Sequence, residues 1–260
     1  LNIVSGTSDK GIIRFADGTS GDAAYRGRVE YMHDVDALMF GTAGAEQMRI
    51  DSSGRLLLGL TSARATKASA SIPSFQIEGT GDSDSRMNIG RNSNADNGPE
   101  IHLYKTRGTS LGSNTVVQDD DFLGAIGFYG ADGSDLFSRG AEITAAVDGT
   151  PGSDDMPTRL TFGTCSPGAA SPTERLRITS GGDVGIGEDS PADRLVVQED
   201  NASGDVAVRI KNDTLTDGSA STPTTASLYL NTSTGDFNTF YIQARRYDNN
   251  THFGYSNPRD

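Results

Sequence analysis

The side chains best suited to metal binding or catalysis in this sequence are three histidines, one cysteine and 35 acidic residues. His33, His102 and His252 lie far apart, and none has a second His or Cys at a metal-ligand spacing, so no zinc pattern is present. Cys165 stands in Phe162-Gly163-Thr164-Cys165-Ser166-Pro167 without a second thiol, which excludes an intrachain disulfide, and without an adjacent base to activate it. The acidic clusters Asp82/Asp84, Asp119/Asp120/Asp121, Asp132/Asp135 and Asp154/Asp155 offer hard oxygen ligands of the kind calcium takes, but none has EF-hand spacing. Gly182-Asp183-Val184-Gly185 shares its pattern with calcium-binding nonapeptides, yet no tandem nine-residue copies follow. Solvated turns are the default reading of all these clusters. A glycosidase needs two opposed carboxyls at a set separation, which spacing along the chain does not fix. There is no Gly-x-Ser-x-Gly elbow and no phosphate-binding loop, and Gly181–Gly187 lacks the βαβ context of a dinucleotide site. The residues assign no catalytic group, no cofactor and no metal.

Binding is better served than catalysis. The stretch Phe237-Asn238-Thr239-Phe240-Tyr241-Ile242-Gln243-Ala244-Arg245-Arg246-Tyr247 alternates aromatic and polar residues. Tyr241, Arg245 and Tyr247 are the candidate receptor contacts, because Tyr and Arg supply stacking and directional hydrogen bonds. The same spacing also describes a strand with one aromatic face turned into a core. Tyr104, Lys105 and Arg107 carry the same two readings.

The elements that must position these groups are strands. Apolar residues recur at period two: Ile101 and Leu103 alternate with His102 and Tyr104, Val206, Val208 and Ile210 alternate with Ala207, Arg209 and Lys211, and Leu228 and Leu230 flank Tyr229. Gly-, Asp- and Pro-rich clusters such as 17–22, 79–84 and 148–155 punctuate them as tight turns. The Gly-free, Ala-rich run 61–70 suits either a short helix or an extended linker. Only 34% of residues are hydrophobic, Trp is absent and Gly supplies 32 positions, a lean core for 260 residues. No apolar run reaches the length of a membrane-spanning helix. A net charge of -13 disfavours nucleic acid and anionic membranes as partners. The start at Leu1-Asn2-Ile3 and the loop-like end Ser256–Asp260 read as those of a piece of a longer protein.

Self-comparison gives the organisation. Glu46–Gly59 aligns with Glu174–Gly187 without gaps at an offset of 128, and Leu38–Thr42 pairs upstream with Leu160–Thr164. Gly27–Tyr31 pairs by pattern with Gly124–Phe128. The expected units are 1–71, 72–192 and a partial third at 193–260, stacked in the manner of repeat proteins. Within the repeated block Met48/Ile50 and Leu176/Ile178 take one face, while Gln47/Arg49 and Arg175/Arg177 take the other. The structural repeat positions are Arg49, Ile50, Gly54, Gly59, Arg177, Ile178, Gly182, Gly185 and Gly187. The bare glycines permit another backbone, such as that of a symmetry mate, to approach closely.

The run Glu174-Arg175-Leu176-Arg177-Ile178-Thr179-Ser180-Gly181-Gly182-Asp183-Val184-Gly185-Ile186-Gly187, continued by Ser190-Pro191 and Arg194-Leu195-Val196-Val197, resembles the ERMRI-SSG-VGIG repeat of bacteriophage tail fibres and tailspikes. The first copy departs from the pattern at Leu57, where the second has Gly185. The resemblance implies an all-β, elongated, intertwined homotrimeric fibre in the virion tail, with short strands and Gly/Asp-rich turns. It implies a structural and adhesive, non-enzymatic role in host attachment. Its partners would be two identical chains, other tail proteins and a host-surface glycan or protein, with no cofactor and no membrane insertion. Competing expectations are a polysaccharide-degrading tailspike, a capsid decoration fibre and a bacterial trimeric adhesin. Trimerisation would also answer the lean core, since three chains can pool their apolar faces around one axis.

Overall fold

The computed structural model describes residues 2–66, 71–199 and 208, and the backbone of three further strands at 225–231, 239–245 and 251–256. Every regular element described is a strand apart from one 3-10 turn at Gly21–Tyr25, so the chain is all-β as its period-two spacing predicts. No helix among the described residues is long and apolar enough to cross a membrane.

The first sheet contains β1 (Lys10–Phe15), β2 (Gly27–Met32), β3 (Ala37–Thr42), β4 (Ala45–Ile50), β5 (Leu56–Leu58) and β6 (Phe75–Ile77), in that spatial order. Neighbours are antiparallel until β5 and β6, which run parallel. The second sheet repeats the plan with β7 (Phe122–Gly130), β8 (Ser138–Val147), β9 (Thr158–Thr164), β10 (Thr173–Ile178), β11 (Val184–Ile186) and β12 (Leu195–Val197). A third sheet, β13 (Thr225–Asn231), β14 (Thr239–Arg245) and β15 (Thr251–Ser256), is an antiparallel meander in which Leu228, Ile242 and Phe253 stand in register. The chain divides into two compact units, Leu1–Val196 and Val197–Asp260.

Turn chemistry explains why the strands reverse where they do. Between β3 and β4, Ala43 and Gly44 both take positive φ, +52° and +82°, the mirror-image two-residue turn whose twist suits a hairpin. Between β4 and β5, the Gly54 amide donates to the Asp51 carbonyl at 2.8 Å with Gly54 at φ +75°. The second sheet repeats this turn, Gly182 to Thr179 at 2.9 Å with φ +81°.

Strand register corrects one sequence correspondence. Val29 stands opposite Phe40 and Ile143 opposite Phe162, so β2 corresponds to β8. Phe15 opposes Gly27, and Phe128 opposes Ala141. The counterpart of Gly124-Ala125-Ile126-Gly127-Phe128 is therefore Gly11-Ile12-Ile13-Arg14-Phe15, one strand earlier than Gly27–Tyr31. Alternation alone fits either strand; the hydrogen-bonded ladder admits one.

Each sheet has one apolar and one polar face. In the first, Ile13, Val29, Phe40, Met48, Leu58 and Ile77 form one cross-strand row, and Ile12, Glu30, Met39, Arg49, Leu57 and Gln76 form the row behind it. Burial runs opposite to simple expectation. The polar-side row holds the buried residues Glu30, Met39 and Leu57, whereas Ile13, Ile50 and Phe75 on the apolar side are exposed. In the second sheet Ile126, Ile178 and Ile186 are likewise exposed, while Val147, at the end of the same side, is buried. Among the described residues the buried hydrophobics are only Ala24, Ala37, Met39, Leu57, Val117, Ala146 and Val147.

Three local expectations differ. Residues 78–121 contain no strand, so the alternating Ile101–Tyr104 run lies in irregular chain with Ile101, Leu103 and Tyr104 exposed. Residues 61–66 are not helical, and the rest of that Ala-rich run lies outside the described residues. The Val206–Ile210 alternation also lies outside them apart from Val208, while Leu228–Leu230 falls within β13.

Candidate functional site

The repeated Glu-x-x-Arg positions build the same clip in both sheets. In a regular strand Glu46 and Arg49, three apart, would face opposite ways. A bulge intervenes: Phe40 opposes Met48 and Gly41 opposes Glu46, leaving Gln47 unpaired. This turns Glu46 onto the Arg49 face, where Arg49 Nη2 donates to Glu46 Oε2 at 2.6 Å. In β10 the bulge falls at Arg175, and Arg177 grips Glu174 with two bonds of 2.6 and 2.9 Å. Such fork-to-carboxylate pairs fix geometry as well as charge. Gly59 and Gly187, just past β5 and β11, donate their amides to the carbonyls of the bulge residues Gln47 and Arg175 at 3.1 and 3.0 Å. Spacing found the arginines and missed Glu46 and Glu174; an acid–base pair three apart in two aligned strands was the available signal of a bulge.

The close backbone approach expected at the glycines is made by the chain itself. A Cβ on Gly185 would stand 2.0 Å from the carbonyl oxygen of Glu188, so this position excludes a side chain without any symmetry mate. Leu57, at the matching place in the first sheet, is fully buried. Ile50 and Ile178 are exposed on the apolar face.

The acidic runs serve as loop clasps. Asp121 accepts two bonds from Arg107 at 2.6 and 2.9 Å and one from the Gln118 amide at 2.9 Å. The Arg107 guanidinium, followed by that amide, holds the Asp121 carboxyl down at about 2. Asp120 pairs with Arg159 at 2.6 Å, and Asp119 accepts the Gly149 amide at 2.7 Å. Asp148 accepts the Ser180 amide at 2.8 Å, the main reason its carboxyl is lowered. Asp132 is lowered by the amides of Ser134 and Asp135. At Asp51 desolvation pulls upward and is outweighed by bonds from Arg55 and Ser53. The acids whose ionisation the fold moves are thus held charged, the reverse of what a general acid requires. Asp82 pairs with Arg86 at 2.7 Å, and Asp84 accepts the Gly81 amide at 2.7 Å.

The remaining candidates are scattered. His33 packs edge-on against Tyr31, His102 meets Glu100 on the surface at 2.6 Å, and His252 lies in β15. The Cys165 thiol donates to the Ala169 carbonyl at 3.0 Å. No group of three metal-ligating side chains occurs among the described residues. Tyr241 and Arg245 lie four apart in β14, and Tyr247 lies outside the described residues. The polar face of the second sheet carries a recess of about 160 Å³ lined by Glu142, Thr144, Arg159, Thr161, Glu174 and Arg177.

No family model matches this chain, and no curated protein sequence matches it. Solved structures do. The carboxy-terminal domain of the bacteriophage T5 L-shaped tail fibre superposes with a TM-score of 0.53 at 16% identity, covering 80% of this chain and 87% of that one. The fold is shared with a phage tail-fibre domain. The same T5 domain solved with its intra-molecular chaperone domain also gives 0.53 at 16% identity, with 80% of this chain and 63% of that longer chain covered. Both structures are described as parts of a tail fibre.

Proposed function

We propose that this chain is a structural segment of a phage tail fibre, assembled as a homotrimer in the virion tail and contributing to attachment to the host cell. The observation that carries this reading is the inverted burial of two six-stranded sheets in a fold shared with the T5 domain. Arginines on both polar faces pair with carboxylates, while both apolar faces keep exposed residues. A monomer that exposes Ile13, Phe15, Ile50 and Phe75 from one sheet and Ile126 and Phe128 from another has surface that belongs against protein. Pooling such faces around an axis supplies the core that a 34% hydrophobic chain lacks. The role is mechanical and adhesive: hydrogen-bonded sheets resist load, and three identical surfaces gain avidity for a host glycan or protein. Tyr241, Arg245 and Tyr247 are the proposed receptor contacts, and Arg49, Ile50, Gly54, Gly59, Arg177, Ile178, Gly182, Gly185 and Gly187 the repeat positions. The units 1–71, 72–192 and 193–260 are proposed as its successive segments.

Light scattering on the purified protein tests the assembly. Three chains of 27.3 kDa give about 82 kDa. A compact species of one chain mass would refute the fibre reading. Binding of the purified protein to intact host cells, abolished by Tyr241→Ala with Arg245→Ala, tests the contacts; undiminished binding would remove them.

A further inference from the structure

The outer edge of β7 and the segment Glu100–Tyr104 each lack something the other has. From the Arg86 amide, which donates to Ser83, to the Arg107 amide, which donates to Thr115, residues 87–106 make no backbone–backbone hydrogen bond. In an otherwise all-β chain such a stretch of irregular structure is unusual, unless it finds its partner elsewhere. Its residues alternate as a strand's do, with Ile101 and Leu103 on one phase and His102 and Tyr104 on the other. Opposite stands a nine-residue edge strand, Phe122-Leu123-Gly124-Ala125-Ile126-Gly127-Phe128-Tyr129-Gly130, hydrogen-bonded only to β8. It has no charge and no proline, and among the described residues no strand pairs with its outer side; charge, proline and cover are the features by which natural edges normally avoid pairing.

We propose that residues 100–104 of one copy add as a further strand to the open edge of β7 in a second copy. This rests on the homo-oligomeric fibre reading and specifies one of its contacts. The alternation fits: Ile101 and Leu103 would continue the apolar face that Ile126 and Phe128 begin, and His102 and Tyr104 the polar one. The segment is also placed to bridge two copies. Arg107 is clamped to Asp121 at the foot of its own β7. Leu103 rests on its own sheet, its Cβ 2.8 Å from where a Gly124 Cβ would stand, and shares an apolar recess of about 250 Å³ with Ile126, Ile143, Ala145 and Leu160. The side chain is thus held at home while the backbone hydrogen-bonding groups stay free. Strand addition satisfies such groups directly. Ile101, Leu103 and Tyr104 of the segment and Ile126 and Phe128 of the edge are each more than half exposed, so both partners of the contact offer apolar surface. A head-to-tail contact of this kind closes into a ring when the copies are related by rotation.

The test places the photo-crosslinker p-benzoylphenylalanine at Ile101 in the full chain, with light scattering on the same sample. The expected product is an adduct of two chain masses whose cross-linked peptide falls within Phe122–Gly130. In the same oligomer, amides 100–104 should exchange at least tenfold more slowly than amides 92–98. Cross-linking within a single chain, or to another peptide, or equal exchange rates, overturns the strand addition while the fibre reading stands. A sample with the mass of one chain overturns both.

Discussion

The two six-stranded sheets share strand order, turn and Glu–Arg clip, yet fill their polar faces differently. At three matching places the first sheet has Glu30, Met39 and Leu57, and the second has Thr144, Thr161 and Gly185. Large side chains fill the first: Met39 and Leu57 are buried, and Glu30 is held by Lys10 at 2.6 Å and Arg28 at 3.1 Å. The second is built from small ones, with a Thr144–Thr161 hydroxyl pair, a polar recess and a ring of aspartate-clasped loops around it. One ladder therefore tolerates two filling strategies, because the bulge and turn, rather than the middle of the face, fix the register.

The sharpest way to break the comparison is to exchange the central residues. Leu57→Gly gives the first sheet the residue of the second and removes a fully buried side chain. We expect a loss of about 3 kcal/mol or more in urea unfolding, from lost burial, the remaining cavity and added backbone freedom. The reverse change, Gly185→Leu, drives a Cβ into the Glu188 carbonyl and should cost at least as much, since backbone rather than a flexible side-chain tip must move. If either exchange is neutral, the two sheets are not filled as described.

Next come the charges of the middle row. Glu30→Ala leaves Arg28 and Lys10 facing an empty buried position and should cost about 2–3 kcal/mol. Thr144→Val, at the matching place, removes one hydroxyl pair and should cost about 1 kcal/mol. A ratio near one would show that the buried carboxylate adds nothing over a hydroxyl. Smaller again is Arg49→Lys or Arg177→Lys, which replaces a two-pronged clip by a single point charge. Each should cost about 1 kcal/mol, by similar amounts in the two sheets because the clips match.

Much of this was legible before the fold. Period-two apolar spacing gave the all-β class, and the 128-residue offset located the matching strands β4/β10 and β5/β11. Gly54 and Gly182 were readable as turn positions because a turn that needs positive φ selects glycine. Other features depend on what lies across the ladder. Gly27–Tyr31 and Gly124–Phe128 look alike because any two-faced strand does, and only the hydrogen-bond partner tells β1 from β2. Glu46 and Glu174 were hidden because a bulge breaks the alternation used to assign faces. Ile101–Tyr104 has the pattern of a strand but no ladder in the single chain, since pattern records a preference and pairing needs an edge. Burial departs from the pattern as well: an apolar row is expected inside, and here Ile13 and Ile126 of the two rows stay exposed.

Acid should separate the sheets last and most gently. The second sheet is bordered by three carboxyls lowered by the fold, Asp121, Asp132 and Asp148, whereas the first has Asp51 at its turn. A carboxyl lowered in the folded state binds its proton less readily there than in the unfolded chain. Its contribution is therefore complete above the ordinary carboxylate value of about 4 and is lost as pH falls through the folded one. For Asp121 that window runs from about 4 down to about 2. Over it the Arg107 clasp should open, and the amides of residues 107–121 should exchange faster while those of β3 and β4 change little. Asp121→Asn should raise exchange in the same loop at neutral pH and flatten its response to acid, because the charge that Arg107 holds is already gone. Equal acid sensitivity in the two sheets would mean that the aspartate clasps carry none of the difference between them, leaving the contrast to Leu57 and Gly185 alone.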